Sequence, residues 1–164
     1  MELFSKRKKK PSKFDLLLQE QLAIFDNSPV EPIFSNAESN IYCQPTILNG
    51  YKSLSLIITG CLKINTIEGC TVTFHTEKDT YVANSDSEIV KGDYSDVLNI
   101  GLTNFDIDLE DDLIVFSENK TILSVTIETR NGQISKKKVV FEYPTVNVEL
   151  FNKILNAEEE EEEE

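Results

Sequence analysis

Between residues 53 and 65 apolar and polar side chains alternate. Leu54, Leu56, Ile58, Leu62 and Ile64 take the even positions, and Ser53, Ser55, Thr59, Lys63 and Asn65 the odd ones. A period of two is that of a strand with one dry face and one wet face. After Glu68 and Gly69 the alternation restarts, with Cys70, Val72 and Phe74 set against Thr71, Thr73 and His75. The polar turn Glu77, Lys78 and Asp79 then leads into a third run at residues 80–83. Residues 51–84 therefore predict an antiparallel meander. The stretch before it, residues 30–49, is interrupted by Pro32 and Pro45 and reads as a connector, with Ile41, Tyr42 and Cys43 as a short edge strand.

Alternation returns later in the chain. Leu98, Ile100 and Leu102 share one parity, whereas Phe105, Ile107 and Leu109 take the other. A phase shift of one residue predicts a β-bulge near Thr103 and Asn104. Residues 110–116 fit a short helix whose acidic first turn suits the helix dipole, or alternatively a strand over 113–116. Leu123, Val125 and Ile127 alternate with Ser124, Thr126 and Glu128 up to Asn131-Gly132, the strongest two-residue hairpin signal. Val139, Phe141 and Tyr143 would form the return strand, stopped by Pro144.

Helical spacing appears at both ends. Ser12 and Asp15 form a capping-box pattern ahead of Phe14, Leu17, Leu18, Leu22 and Phe25, an apolar stripe that ends at Ser28 and Pro29. Val146, Leu150, Phe151, Ile154 and Leu155 predict a second amphipathic helix near the C-terminus. The fold class expected is mainly β: an antiparallel meander forming a barrel or sandwich of about six to eight strands, with an N-terminal and a C-terminal amphipathic helix. The order of meander and closing helix resembles that of pleckstrin-homology-type barrels, a likeness of architecture that no motif supports.

Composition narrows the functional classes. The 164 residues are enough for one domain, placed at 13–157 between a basic disordered tail at 1–12 and a poly-Glu tail at 158–164. The net charge of −13 is uneven. Residues 1–13 carry +5, the seven terminal glutamates −7, and the body between them −11. An acidic body repels phosphate backbones, so no nucleic acid is expected on the folded part. Cys43, Cys61 and Cys70 form no CxxC and no even framework, which fits reduced thiols in a cytoplasmic protein. No apolar segment follows the basic run at 6–10 as a secretory signal would require, and no run reaches the ~18–20 residues that span a bilayer. Asn119, Lys120 and Thr121 match a glycosylation acceptor, which without a secretory route is a chance match. The basic run and the helix after it also offer an alternative role, contact with a membrane surface.

Candidate chemistry is sparse. Asp106 and Asp108 alternate ahead of Glu110, Asp111 and Asp112. Read as an EF-hand loop this stretch fails, because the required Gly and Glu fall on Asp111 and Ser117. A looser metal site at Asp106, Asp108, Glu110 and Asp112 is the remaining metal candidate, with solvated carboxylates as the simpler account. His75, the only histidine, stands beside Glu77 as a candidate general base or a solvent-facing strand residue. The chain contains no G-x-S-x-G, no GxGxxG and no GxxxxGK[ST], and no cofactor is expected.

Three readings follow. The first is a non-enzymatic intracellular binding module with an acidic surface, of inhibitor or immunity type, whose partner is a protein with a basic surface. Its contact candidates are Asp86, Glu88, Asp93, Asp96 and Asp111. The second is a small-ligand carrier with Leu56, Phe74, Ile100, Val125 and Phe141 lining a barrel interior. The third is a metal-dependent enzyme using His75 and the cluster from Asp106 to Asp112. On the strands themselves, the wet-face residues Lys63, Thr71, Thr73 and His75 are the ones that folding does not require.

Overall fold

The structure is a computed structural model and describes residues 9–118, 120–130 and 138–157, the side chains at 130 and 138 excepted. In chain order, α1 (Lys13–Asp26) precedes β1 (Phe34–Ser35), β2 (Ser39–Leu48), β3 (Tyr51–Gly60), β4 (Asn65–Thr66), β5 (Cys70–His75) and β6 (Thr80–Asn84). There follow β7 (Val90–Lys91), β8 (Asp93–Ser95), β9 (Ile100–Asp108) and α2 (Asp111–Glu118). The chain continues with β10 (Ser124–Arg130), β11 (Lys138–Tyr143), β12 (Thr145–Val146) and α3 (Val148–Leu155). The protein is mainly β, and every pairing is antiparallel. Seven strands have five or more residues, and the five short ones raise the count above the expected six to eight.

The strands form three sheets, ordered β12-β1-β2-β3-β9-β8, β11-β10-β5-β6 and β4-β7. No closed barrel is found among the described residues. Nor do residues 51–84 make a single meander, because β3 and β5 lie in different sheets and only β5 and β6 are a hairpin. The reason lies at Gly60, where β3 ends with φ +130°. A Cβ there would stand 2.3 Å from the Glu38 carbonyl oxygen, so only glycine lets the chain turn away so close to β2. Leu62 and Ile64 are buried after the strand has ended, which prolongs the even-position pattern without prolonging the strand.

The expected connector is instead mostly strand. β2 pairs with β3 along its whole length, from Ser39↔Gly60 to Leu48↔Tyr51. Asn49 (φ 52°) and Gly50 (φ 78°) form the turn between them, both in the left-handed conformation a type I′ hairpin demands. Pairing outward from this turn directs the Pro45 nitrogen away from β3, where no ladder hydrogen bond is lost.

The β3–β9 register runs unbroken from Ser53↔Asp108 to Gly60↔Gly101, so there is no bulge at Thr103 and Asn104. Gly101, Thr103, Phe105 and Ile107 all face inward. The phase shift has another cause: α1 packs against β8 and β9 on the opposite face, sheltering Ile100 and Leu102. Residues 111–118 adopt the helix rather than the strand, with Asp111 and Asp112 in its first turn and Leu113 fully buried.

One core lies beneath both large sheets. Leu54, Leu56, Ile58, Phe105 and Ile107 meet Val72, Phe74, Val125, Ile127 and Tyr143 there. α3 adds Phe151, which stacks on Phe74 (5.6 Å between centroids) and meets Phe34 edge-on (5.2 Å). Leu56, Phe74 and Val125 thus belong to the core, Phe141 packs against it, and Ile100 is not among its members. Ser12 caps α1 through a complete capping box with Asp15. The stripe on that helix is narrower than its sequence suggests, since Leu18 and Leu22 are buried while Phe14 and Leu17 face solvent. Residues 1–8 of the basic tail, Asn119, the Asn131-Gly132 turn and the tail at 158–164 lie outside the described residues.

Candidate functional site

Among the described residues one isolated backbone bridge joins the two large sheets, Ser85↔Ile107, where the Asp86 N–H donates to the Asp106 carbonyl at 2.8 Å. From there β6 and the end of β9 diverge, leaving a groove of about 550 Å³. Its walls include Tyr51, Tyr81, Val82, Asn84, Asp86, Asp108 and Glu110. Burial of Phe105 and Ile107 turns Asp106 and Asp108 to the outer face. On that face the Ser55 hydroxyl donates to the Asp106 carboxylate, and the Tyr51 hydroxyl to that of Asp108. Tyr81 anchors the other wall, its ring against Phe74 (6.4 Å) and Phe116 of α2 (5.6 Å).

Electrostatically the groove is crowded with like charge. The carboxyl of Asp86 is held above its usual range by partial burial and then by the neighbouring Asp106 carboxylate. The Tyr81 hydroxyl is raised in the same way, by burial first and then by Glu110 and Asp112.

The backbone of β6 adds a second feature. Thr76 N–H donates to the Asp79 carbonyl at 2.9 Å and Ser85 N–H to the Cys70 carbonyl at 2.8 Å. In an antiparallel ladder the residues between alternate, so Tyr81 and Ala83 direct their backbone groups to β5 while Thr80 and Val82 direct theirs away. β6 is the last strand of its sheet, so these groups form an open edge. None of its five residues is charged or proline, the usual means of blunting such an edge. The opposite edge of the sheet, β11, is different: the Asn36 side chain donates to the Glu142 carbonyl at 2.9 Å.

Of the residues singled out in the sequence, Asp86, Asp106, Asp108 and Glu110 come together here, with Asp112 close enough to act on Tyr81. Asp111 stands in the first turn of α2, and Glu88 is exposed between β6 and β7. Asp93 pairs with Leu102 and Asp96 follows in the next turn. They belong to the far end of β9, Asp93 roughly 13–20 Å from Asp106 and Asp108 at ~3.3 Å per strand residue and Asp96 farther still. His75 is elsewhere again. It alternates with buried Phe74 on the outer face of the other sheet, its Nε2 2.8 Å from the Thr126 hydroxyl. Its hydrogen-bond partner is thus on β10, whereas Asp106 and Asp108 are bonded from β3. Among the described residues no group of three or more His, Cys, Asp or Glu is arranged to hold a metal ion. Lys63 sits over the Tyr94 ring at 5.8 Å, and Thr71 donates to the Asn84 side chain at 3.0 Å.

The three cysteines are free. Burial raises the Cys43 thiol strongly and pushes that of Cys70 up to about 12, which disfavours the thiolate form of both. Sequence reasoning missed Tyr51, Tyr81 and Val82, and with them the open edge. The Asn49-Gly50 dipeptide was the signal that would have placed Tyr51 at the start of a paired strand. Among the described residues no helix is long and apolar enough to cross a membrane. Comparison with protein-family models, curated proteins and solved structures finds no match.

Proposed function

We propose that this chain is a non-enzymatic binding module whose partner is a protein with a basic surface, docking in the groove between β6 and β9. The observation that supports this most is the groove itself, in which carboxylates from Asp86, Asp108 and Glu110 face the uncharged, unpaired edge of β6. An extended segment gains backbone hydrogen bonds from such an edge, while acidic walls select cationic side chains on it. An inhibitor or immunity-type role is the narrower version of the same reading. The scaffold is read as a sandwich, on the grounds that among the described residues the two large sheets share a single backbone bridge, Ser85↔Ile107. The free thiols favour a reducing, cytoplasmic setting.

The test is a pull-down with the full chain and with a variant carrying Asp86→Asn, Asp108→Asn and Glu110→Gln. The wild type should capture a basic protein at low salt and release most of it at high salt, since salt screens such contacts. The triple variant should capture much less. Equal capture by the variant, or no basic protein at either salt, overturns the proposal.

A further inference from the structure

α1 is apolar on two sides. Its inner side packs Leu18 and Leu22 on the β8–β9 end of the sheet, yet Phe14, Leu16, Leu17 and Ile24 remain 49, 48, 50 and 68% exposed. At about 100° per residue, Leu17 and Ile24 stand nearly one above the other, with Phe14 one turn before Leu17 on the same stripe. A soluble surface helix normally keeps that side polar. The helix itself carries Lys13, Asp15, Glu20 and Asp26, of which Asp15 is buried in the capping box, so no charge interrupts the stripe of Phe14, Leu17 and Ile24. Lys9 and Lys10 come just before the helix and Lys13 opens it, all three exposed. Lys9, Lys10 and Lys13 are therefore contiguous with the apolar face of α1, on a molecule whose body is strongly acidic.

We infer that the outer face of α1 docks on an anionic lipid surface, with Phe14, Leu17 and Ile24 entering the boundary between headgroups and acyl chains and the lysines resting on the headgroups. Charge complementarity selects this occupant. A second acidic protein body would meet the same lysines but offers no apolar layer for the stripe, whereas an anionic leaflet presents both at the depth an interfacial helix reaches. The acidic body in turn limits the contact to the helix and keeps the rest of the molecule off the surface. This inference does not depend on the groove, which lies at the other end of β9.

The experiment is co-sedimentation of the full chain with phosphatidylcholine vesicles that contain or lack phosphatidylserine. Two variants are run beside it: Leu17→Glu with Ile24→Glu, and Lys10→Glu with Lys13→Glu. Both pairs are exposed, and thermal unfolding checks that each variant folds. The wild type should bind the phosphatidylserine vesicles and lose binding in salt. Each double variant should bind roughly tenfold or more weakly, because apolar insertion and lysine attraction contribute separately. Several results overturn the inference: no binding to anionic vesicles, equal binding to neutral ones, or unchanged binding by the Leu17/Ile24 variant. So does a concentration-dependent dimer on size exclusion that this variant abolishes, which would make the face a contact between copies.

Discussion

β5 and β6 are partners in one hairpin, yet they differ in what remains free after folding. β5 is paired on both edges, by β10 and by β6, and its Cys70, Val72 and Phe74 side chains are lost to the core. β6 is paired on one edge only, and its outward residues Thr80, Val82 and Asn84 stay exposed. The amino acids themselves are similar, both strands being rich in β-branched and aromatic residues suited to a pleated surface. Position in the sheet makes one a piece of scaffold and leaves the other with backbone donors and acceptors at Thr80 and Val82 on an open edge. A site on this molecule is thus defined by what the fold leaves unused.

The comparison is most exposed to failure at Phe74. It has no solvent exposure and touches the rings of Phe34, Tyr81 and Phe151. Phe74→Ala should destabilise the protein by about 3–5 kcal/mol, while Thr73→Ala, one residue away on the other face, should be close to neutral in chemical denaturation. Equal losses would mean that β5 is not packed as described. A finer test separates the two edges of β6. Ala83→Pro removes a bond to Val72 and leaves a carbonyl of the ladder unsatisfied, whereas the Val82 nitrogen points to the open side. Ala83→Pro should therefore cost roughly 1–3 kcal/mol more than Val82→Pro. If the two cost the same, the open edge has been assigned to the wrong residues.

Much of the scaffold was legible because one-sided burial leaves a simple trace. Leu54, Leu56 and Ile58, and again Cys70, Val72 and Phe74, alternate as strands between a core and a wetter face must. The reading failed where that condition fails. β9 is covered on both faces, by α1 at Leu102 and by the core at Phe105, so its apolar residues change parity without any bulge. β2 carries Gln44, Pro45 and Thr46 on an open edge, a composition that resembles a loop. On α1 the spacing of Phe14, Leu17, Leu18 and Leu22 cannot say which of two adjacent arcs meets the sheet. The site was half visible. Asp106, Asp108 and Glu110 announce a carboxylate row locally, but Asp86 joins them only through the long-range bridge at Ser85↔Ile107. Asp93 and Asp96 look equivalent in the sequence and are not, because the strand carries them to its other end.

The smallest effect concerns the charge stored in the groove, and its sign is its value. Asp86 has its folded-state carboxyl raised, by partial burial first and by Asp106 second. A raised acid binds its proton more tightly when folded, so its contribution to stability is fully present below the unfolded value of about 3.9 and is lost as pH rises through the folded one. At neutral pH the ionised carboxylate is therefore a liability that the fold tolerates. Asp86→Asn should raise stability slightly at pH 7 and show no advantage below pH ~3.9, where both side chains are neutral. High salt should shrink the gain at pH 7, because part of it is repulsion between exposed carboxylates. A loss of stability at pH 7 would mean that the Asp86 carboxylate makes a favourable contact within the fold, which would count against the proposed docking of a basic partner on this rim. If the gain is found, residues 85 and 86 tie the sheets together through their backbone while keeping an ionised side chain that folding alone does not favour. That is the pattern expected of a group held for a partner's cation.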